Sequence, residues 1–172
     1  YTVHVSFNDR LAVCSAAGTS CCFGLDGEVR WLRRHIHVPD SIGNSVEDFR
    51  TSPPIISGDR TIVSPDGVHE ICCFELDSGR VVWRTPTPDV RDIHNELAGR
   101  IIVDAAEGLF ALNSETGTVA WRFPLQSRFA WTLIDETKLA VLRCESKTTR
   151  PQFVWLDGLT GEILGQEAIL GI

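Results

Sequence analysis

The sequence lacks methionine altogether and carries a single tyrosine. A translated chain opens on Met, so one that starts at Tyr1 reads as a fragment or a processed product. Any signal peptide would be lost with that start, and nothing about one is legible. No apolar run approaches the ~18 residues that a bilayer-crossing helix needs, so no direct membrane insertion is expected. Basic residues are few, 16 against 23 acidic, for a net charge of −7. Without a basic surplus to neutralise phosphates, neither nucleic acid nor an anionic membrane surface is an expected partner. None of the six cysteines (Cys14, Cys21, Cys22, Cys72, Cys73 and Cys144) forms CxxC, which excludes a zinc ribbon or a thioredoxin-type motif. Their spacing is not that of a disulfide framework. No glycine-rich phosphate loop, nucleophile elbow or HExxH occurs. No segment sustains a helical period. What is present is 172 residues, 43% hydrophobic and 23% charged, the composition of one folded globular domain with a core of its own.

Sliding the chain against itself reveals four similar segments. They are Phe23 to Trp31, Phe74 to Trp83, Phe110 to Trp121, and Val154 to Gly165. In the first three a tryptophan stands four residues after a turn glycine; in the fourth Gly165 takes that place. A basic residue opens a short apolar run ahead of each segment, at Arg10, Arg60, Arg100 and Lys138. These starts are 50, 40 and 38 residues apart. Two independent marks recurring four times in one order define a repeat.

Each repeat divides into four strand-like stretches separated by turn residues. In the second they run over about 53–57, 60–64, 70–77 and 80–85, with Gly58-Asp59, Pro65-Asp66-Gly67 and Ser78-Gly79 between them. The last hairpin of each repeat is expected to vary in length. Asp26-Gly27 suits a two-residue type I′ turn, while Asn113 to Gly117 and Asp157 to Gly161 suit a type I turn ending in a left-handed glycine. Four antiparallel strands per ~40 residues is the unit of a β-propeller blade. The expected fold is therefore all-β, a partial or half propeller of about four four-stranded blades. The blades fall at about 1–36, 50–88, 89–126 and 127–170, with an inserted loop at about 37–52, in one domain over 1–172. Trp31, Trp83 and Trp121 are read as structural docking residues that pack blade on blade.

The blade ending Phe110-Ala111-Leu112-Asn113…Thr116-Gly117…Trp121, with Ser52 to Val63 ahead of the second blade, resembles the tryptophan-docking repeats of the PQQ-like (quinoprotein alcohol dehydrogenase-like) propellers. That family contains pyrroloquinoline quinone (PQQ) dehydrogenases. It also contains non-catalytic bacterial members such as the propeller of the outer-membrane assembly machinery, which the chain resembles more. The resemblance implies a scaffold that binds protein or peptide. It also leans the location towards the periplasm or another extracytoplasmic space, although six cysteines read as unpaired lean weakly the other way. The alternatives are a piece of a PQQ- and calcium-dependent dehydrogenase and a ligand-binding sensory ectodomain.

In the family's alcohol dehydrogenases PQQ is stacked between a tryptophan and a disulfide joining adjacent cysteines. The pairs Cys21-Cys22 and Cys72-Cys73 invite that comparison. Both pairs precede a strand phenylalanine at one repeat position, where later repeats carry Gly108-Leu109 and Gln152-Phe153. Adjacent strand residues point to opposite faces, so the pairs read as buried free thiols. No acidic and amide run of the kind a calcium site needs is evident, and Asp104 and Glu107 are expected to be solvated beside a turn. No catalytic residue, cofactor or metal is assigned; PQQ and calcium enter only under the dehydrogenase alternative.

Candidate binding residues come from position in the repeat. The first strand of a propeller blade lines the central channel, and counting back six from the basic marks gives His4, Pro54, His94 and Thr132. Asp92, Asn95, Arg128 and Trp131 lie near them. The inserted loop carries Asp40, Asn44, Glu47, Asp48 and Arg50, and long loops are where recognition residues collect. His4, Asp92, His94, Trp131, Asp48 and Arg50 are the candidates for binding. His35 and His37 share a face if extended, with Asp40 nearby, but no third zinc ligand is evident, and an exposed strand end is expected there. Arg30, Arg33 and Arg34 read as a solvated edge that discourages unwanted strand pairing. Four blades fall short of the family's usual seven or eight. Three resolutions are open: a fragment of a longer propeller, which is the favoured one, closure by a second copy, or closure of four blades alone; in isolation, self-association through open blade faces is expected.

Overall fold

The computed structural model describes residues 3–16, 18–36, 52–65, 68–87, 90–125, 129–144 and 150–169. Every regular element among them is a β-strand. No helix of the described residues is long and apolar enough to cross a membrane. Strands β1 (His4–Phe7), β2 (Leu11–Ala16), β3 (Thr19–Gly24) and β4 (Val29–Arg34) form the first sheet in chain order. β5 (Ile55–Ser57), β6 (Arg60–Val63), β7 (Glu70–Glu75) and β8 (Val81–Pro86) form the second. β9 (Val90–Leu97), β10 (Arg100–Ala105), β11 (Gly108–Asn113) and β12 (Val119–Pro124) form the third. β13 (Phe129–Leu133), β14 (Lys138–Arg143), β15 (Gln152–Asp157) and β16 (Ile163–Ala168) form the fourth. These four antiparallel meanders are propeller blades. The second begins at Ile55 rather than Pro53, since the two prolines before it have no N–H to give the ladder.

Two compact units result. One comprises residues 1–95 with 104–106, the other 96–103 with 107–172. In the first unit, Leu11, Val13, Cys22 and Trp31 of the first sheet pack against Val63, Cys72, Phe74 and Leu76 of the second. In the second unit, Leu139, Val141, Val154 and Leu156 of the fourth sheet join Leu97, Ile102, Leu109, Ala111 and Trp121 of the third. Middle strands such as β7 and β11 are buried almost throughout, whereas β4, β8, β12 and β16 expose most of their residues. That gradient is what near-continuous apolar middle strands produce when both faces are covered.

The glycine-tryptophan mark has a direct physical basis. Trp31 Nε1–H donates to Leu76 O at 2.8 Å, and its ring lies over the hairpin of the second sheet. A Cβ on Gly79 would meet Trp31 Cγ at 2.5 Å, and Gly79 has φ +65°. Trp121 repeats the arrangement on the fourth sheet, donating to Gly158 O at 3.0 Å, with Gly161 (φ +74°) beneath its ring. The turn glycine is thus required twice, for its left-handed backbone and for the indole above it.

The hairpins differ from the expectation. Asp26 has no positive φ; Gly27 does, at +85°. The first hairpin is therefore a type I turn closed by Gly27 N–H to Gly24 O at 2.9 Å, not type I′. The other three share one frame. Glu75, Asn113 and Asp157 N–H donate to Arg80, Thr118 and Glu162 O at 2.8, 2.8 and 2.9 Å, so only the first loop is shorter. Asn113 Oδ1 and Asp157 Oδ1 accept from the two following loop N–H groups at 2.8 to 3.0 Å, a local turn that Asx side chains favour. Those backbone bonds hold the Asp157 carboxyl below its ordinary range. Glu75, one methylene too long for that turn, instead accepts from Arg80 and Ser78 and is lowered to about 2.

Candidate functional site

β9 puts Asp92 and His94 two residues apart, hence on one face. Asp92 Oδ2 lies 3.3 Å from His94 Nε2, and both side chains are about half exposed. Asp92 Oδ1 accepts the hydroxyl of Ser52, which is buried and itself accepts Ile93 N–H at 2.7 Å. Ser52 therefore pins the start of β9 and aims the carboxylate. Its O–H points to the carboxylate rather than to the imidazole, so the trio lacks the nucleophile-to-base bond of a hydrolase. It is a polar cluster that presents a carboxylate oxygen and an imidazole together. The sequence picked out Asp92 and His94 by repeat position. Ser52 was missed because forty residues separate it from Asp92, and its only local mark was the end of the inserted loop.

The other candidates distribute as follows. His4 is half-buried on β1, in the first unit. Trp131 is half-buried on β13, packed against the core of the second unit. Asp48 and Arg50 lie outside the described residues, as do His37, Asp40 and Arg128. Trp31, Trp83 and Trp121 are all buried. Three expectations are corrected. His35 is not an exposed strand end but is buried, 8% accessible, with its backbone N–H donated to Gly18 O at 2.8 Å; burial lowers its pKa. Asp104 is not solvated; its side chain is 19% exposed and sits 3.8 Å from Arg91. Arg33 is not simply a solvated edge group, since its Nε–H donates to Gly79 O at 2.9 Å across the sheets of the first unit.

No disulfide joins any of the six cysteines among the described residues. Cys22 stands opposite Trp31 and Cys73 opposite Trp83 in the ladders, the place that Ala111 fills opposite Trp121. Adjacent thiols in β3 and in β7, paired in register up to the bulge that follows each pair, thus project to opposite faces of their strands, which does not fit the vicinal disulfide that would support PQQ. Burial, then the neighbouring Cys14, pushes the Cys21 thiol up to about 11. Burial, then Glu70, pushes Cys72 up to about 12. Neither is an activated nucleophile.

The PQQ_2 family model, described as outer membrane protein assembly factor BamB, matches residues 26–169. The chain belongs to that family. Among solved structures the chain is similar to BamB from Moraxella catarrhalis, with TM-score 0.58 and 19% identity, over 96% of this chain and 60% of that one. It is also similar to quinohemoprotein alcohol dehydrogenase from Comamonas testosteroni, with TM-score 0.65 and 13% identity, over 96% of this chain and 34% of that one. The Pan2 WD40 domain of Neurospora crassa aligns with TM-score 0.61 and 13% identity, over 96% and 51%. At these identities the likeness is one of fold, shared by assembly factor, enzyme and WD40 propeller alike. The chain spans less than two thirds of each of these structures. No curated protein matches the sequence.

Proposed function

We propose that this chain is part of a non-catalytic PQQ-like β-propeller that serves as an extracytoplasmic scaffold for a protein or peptide partner. The observation that carries the reading is the family match to an outer-membrane assembly factor over residues 26–169. The Asp92–His94 pair, held by Ser52 and half exposed, supplies recognition chemistry without a nucleophile. His4, Trp131 and the loop residues Asp48 and Arg50 belong to the same proposal as further contact positions. Self-association through exposed sheet faces belongs to it too. A net charge of −7 favours a partner with basic or neutral contact groups over nucleic acid.

The test is a photocrosslinking residue placed at His94 in the intact protein in its native cells, with Glu167 of the exposed strand β16 as control. A discrete protein crosslinked from position 94, and lost when Asp92→Asn is added, is the expected result. Equal crosslinking from 94 and 167, or none, overturns it. The dehydrogenase reading is tested beside it by titrating PQQ with calcium and following the absorption spectrum. Stoichiometric uptake accompanied by dye reduction would replace the scaffold with an enzyme.

A further inference from the structure

Three chemically unlike ligand groups meet where the first two sheets pack. His35 follows β4 directly, and its ring lies against Phe74 with centroids 6.0 Å apart. From β7 come Glu70 and Cys72, two residues apart and so on one face of the strand. Cys72 Sγ is 3.4 Å from Glu70 Oε1. One imidazole nitrogen, one carboxylate oxygen and the thiol sulfur all lie within 4.8 Å of one another. His35 and Cys72 are buried, and Glu70 is partly so.

We propose that His35, Glu70 and Cys72 form a binding site for zinc or a similar borderline-soft divalent cation, which clamps the end of the first blade to the second. The reading goes beyond partner binding and does not depend on it. Zinc sits about 2.0–2.3 Å from N, O and S donors in a tetrahedron, so such ligands are about 3.3–3.8 Å apart. The three atoms, within 4.8 Å of one another, exceed that spacing by about an ångström at most. Neutral imidazole, carboxylate and thiolate are the donor set that suits zinc rather than calcium or magnesium. The charges balance: a dication meets one carboxylate and one thiolate, and the thiol proton leaves to solvent as the metal–sulfur bond forms. Water takes the fourth position.

The surroundings are those of a supported ligand. Ser20 Oγ stands 3.0 Å from His35 Nε2, and Ser15 Oγ is 3.5 Å from Ser20 Oγ, all three residues being buried. With Nε2 engaged by Ser20, the proposal requires Nδ1 as the ligating atom, and such a hydrogen bond then fixes the ring in place. One group opposes the metal. Arg84 Nη1 is 3.2 Å from Glu70 Oε1 and competes for that carboxylate. Its side chain is 50% exposed, so it can swing to solvent without stranding a buried charge. That competition gives the proposal a signature that a purely packing role for His35 does not share.

The experiment is a Co2+ titration of the intact protein, kept reduced, followed by the sulfur-to-cobalt charge-transfer band. One equivalent should saturate the band, and Zn2+ should displace cobalt and raise the unfolding midpoint. Cys72→Ser should abolish the band. Glu70→Gln and His35→Gln should weaken binding roughly tenfold or more, while Arg84→Met should tighten it. No band at one equivalent overturns the site. A band that survives Cys72→Ser overturns it as well, because another thiol then holds the metal. So does finding that Glu70→Gln and Arg84→Met both titrate like the parent. Should Cys72→Ser fail to fold, the shape-conserving Glu70→Gln at its partly exposed position decides the question.

Discussion

Thr61, fully buried in β6, places its Oγ1 where no hydrogen-bond partner exists among the described residues. A buried hydroxyl left unpaired is a standing cost of about 1–3 kcal/mol. Thr61→Val keeps the branched shape and removes the polar atom, and the expected outcome is a gain of about 1 kcal/mol in urea unfolding. An unchanged or lower midpoint would show that the hydroxyl is bonded after all. At the same scale the fourth repeat explains its missing tryptophan. Trp155 of β15 stands directly opposite Gly165 of β16, where the earlier ladders pair a small residue on the third strand with a tryptophan on the fourth, as in Cys22 with Trp31 and Ala111 with Trp121. Large and small have exchanged strands at that position. The sequence showed Gly165 as a gap in the pattern. The exchange was not legible because it needs the register, which a bulge between Trp155 and Leu156 shifts by one residue.

At the scale of the element, the hairpin and the indole above it act as one device. Gly79 and Gly58 both have left-handed φ, +65° and +57°, but only Gly79 lies under a tryptophan. Gly58→Ala meets the backbone term alone, expected to lose about 1–2 kcal/mol. Gly79→Ala adds a collision with the Trp31 ring and should lose about 2–4 kcal/mol. Thermal or urea unfolding of the two variants side by side measures the difference; equal losses would show that the ring yields freely. The strands themselves were legible from turn residues and apolar runs. The hairpin frame was not. Aligning Phe74 with Phe110 by letter sets the second and third repeats two residues out of step, since the shared bulge puts Phe74 level with Leu112. Hydrogen bonds, not residue identity, define the equivalent positions, which is why the type I′ expectation at Asp26-Gly27 failed.

At the scale of the whole molecule, Val3, Val5 and Phe7 alternate with half-buried residues along the first sheet, so three apolar side chains share one exposed face. Val5 is 50% and Phe7 76% accessible. A contiguous apolar surface of this kind favours association in water. Light scattering of the 172-residue chain at rising concentration should show a mass above that of one chain, and Phe7→Ser should reduce it. A strict monomer for the parent chain would remove self-association from the proposal. Family membership fits a scaffold, while the same fold in a dehydrogenase and a WD40 domain means that function must be argued from side chains.

By itself the sequence determined the repeat, the four-stranded blade and the family. Each of these rests on short-range pattern: glycine where φ is left-handed, apolar runs where both faces are covered, an indole at a fixed step from a turn. Only the tertiary structure decided which polar groups meet. Ser52 reaches Asp92 and His35 reaches Glu70 and Cys72 because folding joins residues some forty positions apart whose identities carry no local mark of the encounter.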